Sequence, residues 1–542
     1  MQTTAPAKPG RSFTCFNLKK FIMKLHKFLI ALLAILSFTF HSCDLAELEA
    51  DPNRATNSPA SLILNGALNN LYTESWNETM RRNQYYCINY NYYGTNEYWS
   101  GSASLDYTRL KNVQKMEEEA IRGGAAAVNP YSALGKFFRA YHYVNMTQKV
   151  GDLPLGEALS GLENTTPKYA TQKEIYIQVL KWLDEANTDL ASLIAKGGQK
   201  ADGDWFYGGD LTKWQKLVNA YRLRVLISLS KKDADADVKV KAQFAEILGN
   251  PSKYPLMSSI DDNFQFLALG GQAAYYYPKN PSNYGFDALR ENTSKLYIDL
   301  LKEYQDPRLF VVAEPAEALV KAGKAPTAFD AFAGASTGES LDDMSYKAQI
   351  GEYSLINRKR FYATFEGEPI VQVGYPEMCF NIAEGINRGW ATGNAEDWYK
   401  KGINASMAFY GISTGNLTVF FAVPGAALGN FTTYTVPVNL DTYYAQANVK
   451  YAGNNTTGLE QILKQKYLAM AQGSDLEAYY NYRRTGIPAF LTGVGIGNGG
   501  KIPLRYQYPN SENITNAANL AEALQRQYAG KDDIFGKMWL IQ

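Results

Sequence analysis

The chain has 542 residues, 46% of them hydrophobic and 20% charged, which is ample for a large core in one big domain or two ordinary ones. Its 54 basic and 53 acidic residues form no long run of either sign, so the basic stripe expected of a nucleic-acid binder is absent. The only histidines are His26, His41 and His142, too few for a zinc centre or a histidine-based nucleophilic device of the usual kind, and no metal or cofactor is expected.

Residues 1–22 contain Lys8, Arg11, Lys19 and Lys20 without helical or strand period and read as an over-extended start, with Met23 as the initiator. A short basic head, Met23 to Lys27, then leads into the uncharged apolar run Phe28 to Phe40. As a helix this run reaches about 20 Å, short of the roughly 30 Å hydrocarbon core. Residues 23–42 are therefore expected to be a cleaved export signal. The run ends at Ser42-Cys43, an arrangement that resembles a bacterial lipobox, and Cys43 is the expected lipidation site. Residues 43–56 would form the lipidated tether, and 57–542 a single ligand-binding domain.

Rings are abundant: 39 tyrosines, 25 phenylalanines and 8 tryptophans. The first cluster, "YYCINYNYYGTNEYW" from Tyr85 to Trp99, holds seven aromatic residues and a single charge, Glu97. A second, "YYYPKNPSNYGF" from Tyr275 to Phe286, is broken by Pro278, Pro281 and Gly285 and reads as a loop. Flat rings beside Asn and Ser suit the apolar faces and hydroxyl edges of sugars, or peptides; filling a large core is the competing role. Cys87 and Cys379 stand far apart, as two buried thiols or a disulfide, and spacing does not decide between them. His142, in "RAYHYVNM", reads as a structural residue on a helix face.

Helical patterning organises the rest. Thr171 and Glu174 form a capping box before an amphipathic helix with Ile175, Val179, Leu183, Ala186, Leu190 and Leu193 on one face. A second helix follows in "LTKWQKLVNAYRLRVLISLSKK", ending in Lys231 and Lys232, where cations suit the dipole. Long connections at 252–288 and 325–374 are where ligand contacts are expected. "YPEMCFNIAEGINRG" and "NAEDWYKKGINASMAFYG" predict a helical hairpin. Its Glu377 and Glu384 lie two turns and roughly 10 Å apart, poorly placed for a glycosidase pair, and read as a helix-start residue and a solvated one. "NLTVFFAVP" and "YTVPVNL" predict a small β hairpin within 416–440. Thr457 with Glu460, and Ser474 with Glu477, predict two further caps, the last helix stopping at Gly486 and Pro488. "TGVGIGNGGK", Thr492 to Lys501, lacks the strand and helix of a phosphate loop and reads as a surface turn.

Seven segments carry a resemblance: "DPNRATNSPASLIL", "VGDLPLGEAL", "YGGDLTKWQKLVNAYRLRVLISLS", "DPRL", "YPEMCFNIAEG", "KYLAMAQGSDLEAYYNYRRTGIP" and "IPLRYQYPNSE". Their order resembles the SusD/RagB family, and more narrowly the SusD-like nutrient-binding outer-membrane lipoproteins of Bacteroidetes. The resemblance implies a mainly α fold, tetratricopeptide-like hairpins in a right-handed superhelix overlaid by irregular loops, and a protein that binds and is not an enzyme. It implies a cell-surface lipoprotein held in the outer membrane by lipid on Cys43, a SusC-like TonB-dependent transporter as partner, and an oligosaccharide or peptide ligand. A surface glycosidase or lyase on a helical scaffold is the alternative. Matched loosely to the family's aromatic platform, the first cluster offers Tyr92, Tyr93, Asn96, Tyr98 and Trp99, and the second adds Tyr276 and Tyr277. The motifs themselves imply structural roles: a turn at Asp306-Pro307-Arg308, a helix end at Arg483 and Arg484, packed coil at Tyr508-Pro509. Asp44, Glu47, Glu49 and Asp51 resemble the surface-export signal of such lipoproteins and equally suit a solvated tether.

Overall fold

Helices form where a cap and a repeating apolar face coincide. The computed structural model describes residues 57–542, apart from positions 425, 428 and 472 and the side chain of Phe286; the export signal, Cys43 and the acidic stretch lie outside the described residues. Helix α1 (Ala60–Asn69) packs on α2 (Tyr107–Arg122), which packs on α3 (Pro130–Val150). At the start of α3, Asn129 and Ser132 bond reciprocally and Pro130 occupies the first turn, where its missing N–H is harmless. Helix α4 (Gln172–Lys196) opens on the expected box: the Thr171 N–H donates to the Glu174 carboxylate at 2.7 Å and the Glu174 N–H to the Thr171 hydroxyl at 3.2 Å. Its expected apolar stripe is buried against α3 and α5 (Leu211–Ser228). Helix α5 ends at Ser228, earlier than its sequence suggests. Lys231 and Lys232 instead donate to the carbonyls of Ile541 and Gln542, at 2.9 and 3.3 Å, and so hold the end of the chain.

The predicted second hairpin is α6 (Tyr375–Asn387) with α7 (Ala395–Phe409); α6 also packs on α5 and on α8 (Thr456–Ala469), and α9 (Glu477–Thr485) follows. Pro59–Gln542 is thus one compact, mainly α unit of tetratricopeptide-like hairpins. Short strands stitch its loops together. β1 (Tyr86–Ile88) pairs with β3 (Glu291–Thr293), and β2 (Phe264–Phe266) with β4 (Ile370–Val373), all antiparallel. The predicted hairpin is present as β5 (Gly415–Ala422) and β6 (Phe431–Val438).

Two predicted caps are different. Helix α8 is capped by Asn455, whose side-chain carbonyl accepts the Gly458 N–H at 2.9 Å, so Thr457 falls inside the first turn. Helix α9 has no side-chain cap. Ser474 and Asp475 have φ of 68° and 49°, and the Ser474 N–H donates to the Val371 carbonyl at 2.7 Å, so a bridge to β4 positions the helix start.

Tyrosine is prominent in the interior. Tyr86, Tyr176, Tyr221, Tyr254, Tyr399 and Tyr479 are among its largest fully buried side chains. Such rings fill volume, and several hydroxyls satisfy backbone carbonyls, as Tyr399 does for Val449 at 2.8 Å and Tyr508 for Asp152 at 2.8 Å. Many buried charges are paired, whereas Arg483 donates to the carbonyls of Gln148 and Leu504, each at 2.8 Å, and Asp204 accepts from the Trp214 indole at 2.8 Å. Arg308 and Asp306, both fully buried, bond at 2.9 Å, and Arg308 reaches Ser406 of α7 and Gln465 of α8, each at 2.8 Å; the turn is a three-way joint. Glu384 is not the solvated residue its sequence suggested. It is fully buried and accepts from Arg484 of α9 at 3.0 Å, while Glu377 accepts from Arg224 of α5 at 2.7 Å. Removing one partner of such a pair leaves the other as an uncompensated buried charge. Cys87 and Cys379 are free buried thiols; burial pushes the Cys379 thiol up to about 12. His142 is buried too, and burial holds it down at about 4, a neutral ring in the core.

Candidate functional site

The loop after β1 makes a short turn, Asn91–Tyr93, closed by Gly94 at φ 118°. Pairing of β1 with β3 fixes its root. Asn96 fixes its return: the side chain accepts from the Ile88 N–H at 2.9 Å and donates to the Ile88 carbonyl at 2.8 Å, an imitation of strand pairing. What projects is a trio of rings. Tyr92 is 79% exposed, Tyr90 is exposed and Tyr93 half-buried. Ring centroids lie 6.4 Å apart for Tyr90 and Tyr92, nearly parallel at 24°, and 5.3 Å apart for Tyr92 and Tyr93, edge to face. The Arg290 guanidinium sits 4.9 Å from the centre of the Tyr90 ring.

The remaining candidates from this loop are interior. Trp99, 7% exposed, stacks on Tyr506 at 4.0 Å, lies under the Arg82 guanidinium at 5.3 Å and donates its indole N–H to the Arg505 carbonyl at 2.8 Å. Tyr98 is buried beside it and donates to the Arg82 carbonyl at 2.5 Å. These contacts occupy the rings that a stacking ligand would need, and Trp99 and Tyr98 are instead the anchor on which the exposed trio rests. The second cluster divides likewise. Tyr277 is fully buried and accepts from the Trp76 indole at 2.7 Å, whereas Tyr276 is half-buried against Phe365 at 4.2 Å.

The glycine-rich stretch braces this loop. The Ile496 carbonyl accepts the Tyr98 N–H at 3.0 Å and the Asn498 amide donates to the Trp99 carbonyl at 3.0 Å. A Cβ on Gly495 would lie 2.0 Å from the Glu339 carbonyl, and one on Gly493 2.2 Å from that of Gly338. The expected surface turn is thus a crossing of two backbones that only glycine permits.

Two hollows flank the exposed trio. One, about 540 Å³, is walled by Glu74, Trp76, Tyr93, Lys279, Asn283 and Asp287. Beneath it Lys279, buried, pairs with Asp287 at 2.9 Å and Glu291 at 2.5 Å; burial, outweighing the pull of Lys279, pushes Glu291 up to about 7. The other, about 770 Å³, lies between Tyr90, Arg290, Ser345, Tyr346, Val423 and Tyr434, with the tip of the β5–β6 hairpin as one wall. Both volumes suit a small ligand. Tyr90, Arg290 and Tyr346 were missed as site residues by sequence reasoning. The first belongs to the aromatic cluster and Tyr346 to the long 325–374 connection, which were the available signals.

The family model described as "Starch-binding associating with outer membrane", SusD-like, matches residues 52–509. The chain belongs to the SusD-like family. A SusD homologue from Bacteroides fragilis is 30% identical, with 90% of this SusD-like chain and 100% of that one covered and a TM-score of 0.77. A Bacteroides vulgatus protein assigned to the outer membrane and to nutrient binding is also 30% identical over 90% and 100%, with a TM-score of 0.74. A chitin-binding protein is 28% identical over 89% and 96%, with a TM-score of 0.64. None of the curated proteins matches. The SusD-like chain thus belongs to a family of outer-membrane-associated binding proteins, not of enzymes. Glu377 and Glu384, the carboxylates weighed for a glycosidase, are held in arginine pairs within the helical core.

Proposed function

We propose that this SusD-like protein is a cell-surface lipoprotein, anchored in the outer membrane through lipid on Cys43, that captures a nutrient and passes it to a SusC-like TonB-dependent transporter. The ligand is an oligosaccharide or a peptide, held on Tyr90, Tyr92 and Tyr93 between the two hollows. One observation carries the reading: a braced loop gathers Tyr90, Tyr92 and Tyr93 ring against ring beside the two hollows, with Tyr92 79% exposed. Rings exposed in this way cost apolar hydration that a ligand's apolar face relieves. The open aromatic surface beside the hollows favours the oligosaccharide.

The transporter partnership is tested by purifying the tagged full-length chain from native membranes in mild detergent. A large outer-membrane barrel is expected to co-purify in near-equal amount. Recovery of the chain alone, under conditions that keep other membrane complexes intact, would count against delivery to a transporter.

A further inference from the structure

A second group of exposed rings stands apart from the Tyr90–Tyr93 loop. Trp205, in the connection between α4 and α5, is 42% exposed, and Tyr72, just beyond α1, is 39% exposed. Each rests on Phe266 of β2, with centroids 5.5 and 4.7 Å from it, so the two rings lie within about 10 Å of each other. Phe206 stacks on Trp205 at 4.2 Å and 19°, supporting the indole from below. Amides stand beside the rings. Asn65 of α1 reaches the Gly203 carbonyl at 3.5 Å, and Asn69, one turn on, is exposed on the same helix face. Leu267, Leu269 and Tyr275 extend the apolar surface and are all exposed.

Two chain segments lead from this group to the candidate site. Residues 72–76 lead from Tyr72 to Glu74 and Trp76 in the wall of the 540 Å³ hollow. Residues 275–279 lead from exposed Tyr275 to Lys279 in the same wall. The segments and β2 are tied at both ends, by the Tyr72–Phe266 contact and by the Trp76–Tyr277 hydrogen bond of 2.7 Å. The far side of the hollow is Tyr93, a member of the first trio.

We propose that Tyr72 and Trp205 form a second sugar-stacking platform, continuous through the hollow with Tyr93, so that the protein holds an extended oligosaccharide chain at two points. The proposal rests on the oligosaccharide reading of the Tyr90–Tyr93 site and adds to it a ligand several units long. The ring pair takes the apolar faces of successive sugars, while Asn65 and Asn69 meet their hydroxyl edges. A protein partner would cover the same rings, but a narrow aromatic strip that leads into a polar hollow suits a chain ligand better than a flat interface.

The test uses full-length protein in detergent and two ladders of defined probes, malto-oligosaccharides and chito-oligosaccharides of increasing length, titrated by calorimetry. Affinity for one ladder is expected to rise with length. In the Tyr72→Ala/Trp205→Ala variant the shortest binders keep their affinity, whereas the longest lose about tenfold. Tyr72→Phe/Trp205→Tyr, which retains the rings, restores most of that loss. In Tyr92→Ala all lengths weaken. An unchanged length dependence in the double alanine variant overturns the second platform alone. Absence of binding by either ladder to the unsubstituted protein overturns the platform and the oligosaccharide reading together. Loss of transporter co-purification in the double variant, with its oligosaccharide binding intact, makes the strip a protein interface and also overturns the proposal.

Discussion

Two aromatic residues of one loop, seven positions apart, have opposite fates. Tyr92 projects into solvent, and Trp99 is stacked, capped and hydrogen-bonded inside. Tyr92→Ala is therefore expected to leave thermal stability unchanged and to weaken ligand binding by about tenfold, read by calorimetry. Trp99→Ala should do the reverse, costing about 3–5 kcal/mol in denaturant unfolding, because it empties a large, filled site. Substantial loss of affinity without loss of stability in Trp99→Ala would show the indole to be a ligand contact. Glu384 supplies a pH-dependent counterpart. Burial alone would raise its carboxyl, but Arg484 and Arg388 outweigh burial and hold it at about 2, against an ordinary 4.5. Its folded value is depressed, so its contribution is complete above about pH 4.5 and is lost as pH falls toward 2. Linkage puts that contribution at about 3 kcal/mol. Glu384→Gln should be less stable at neutral pH by about 3–5 kcal/mol, since Arg484 loses its buried partner, and should show a flatter acid-unfolding profile between about pH 4.5 and 2, followed by tryptophan fluorescence.

At the scale of elements, the helices were legible because their determinants are local. The Thr171–Glu174 box, the spacing of Ile175 to Leu193 and the αL residue Gly486 after α9 all act within a few residues of where they stand. Ser474 misled because its environment is set by Val371, about a hundred residues away. The glycine-rich stretch is the surface turn expected, with Val494 exposed, but the need for its glycines is set at a distance, by the carbonyls of Gly338 and Glu339. Gly495→Ala is expected to cost about 1–3 kcal/mol in equilibrium unfolding and to weaken ligand binding, because the brace beneath Tyr98 must shift. A variant with wild-type stability would mean that the crossing is softer than its 2.0 Å approach implies.

Across the whole molecule, the helical unit carries the loops, and the loops carry both ring groups. No helix among the described residues is long and apolar enough to cross a membrane. Attachment is proposed to depend on Cys43, and Cys43→Ser is expected to move the protein from the outer-membrane fraction to a soluble one, measured by fractionation and immunoblotting. Retention of the variant in the membrane fraction, with the transporter deleted, would remove lipid on Cys43 as the anchor. The sequence alone determined the helical class, the hairpin order, the β hairpin and the family to which the motifs belong, because caps, turns and apolar periods are written over a few adjacent residues. Only the tertiary structure decided which tyrosines face solvent. Tyr92 and Trp99 share a composition and a neighbourhood in the chain, and what separates them is Tyr506 and Arg505, more than four hundred residues away, which cover one ring and leave the other bare.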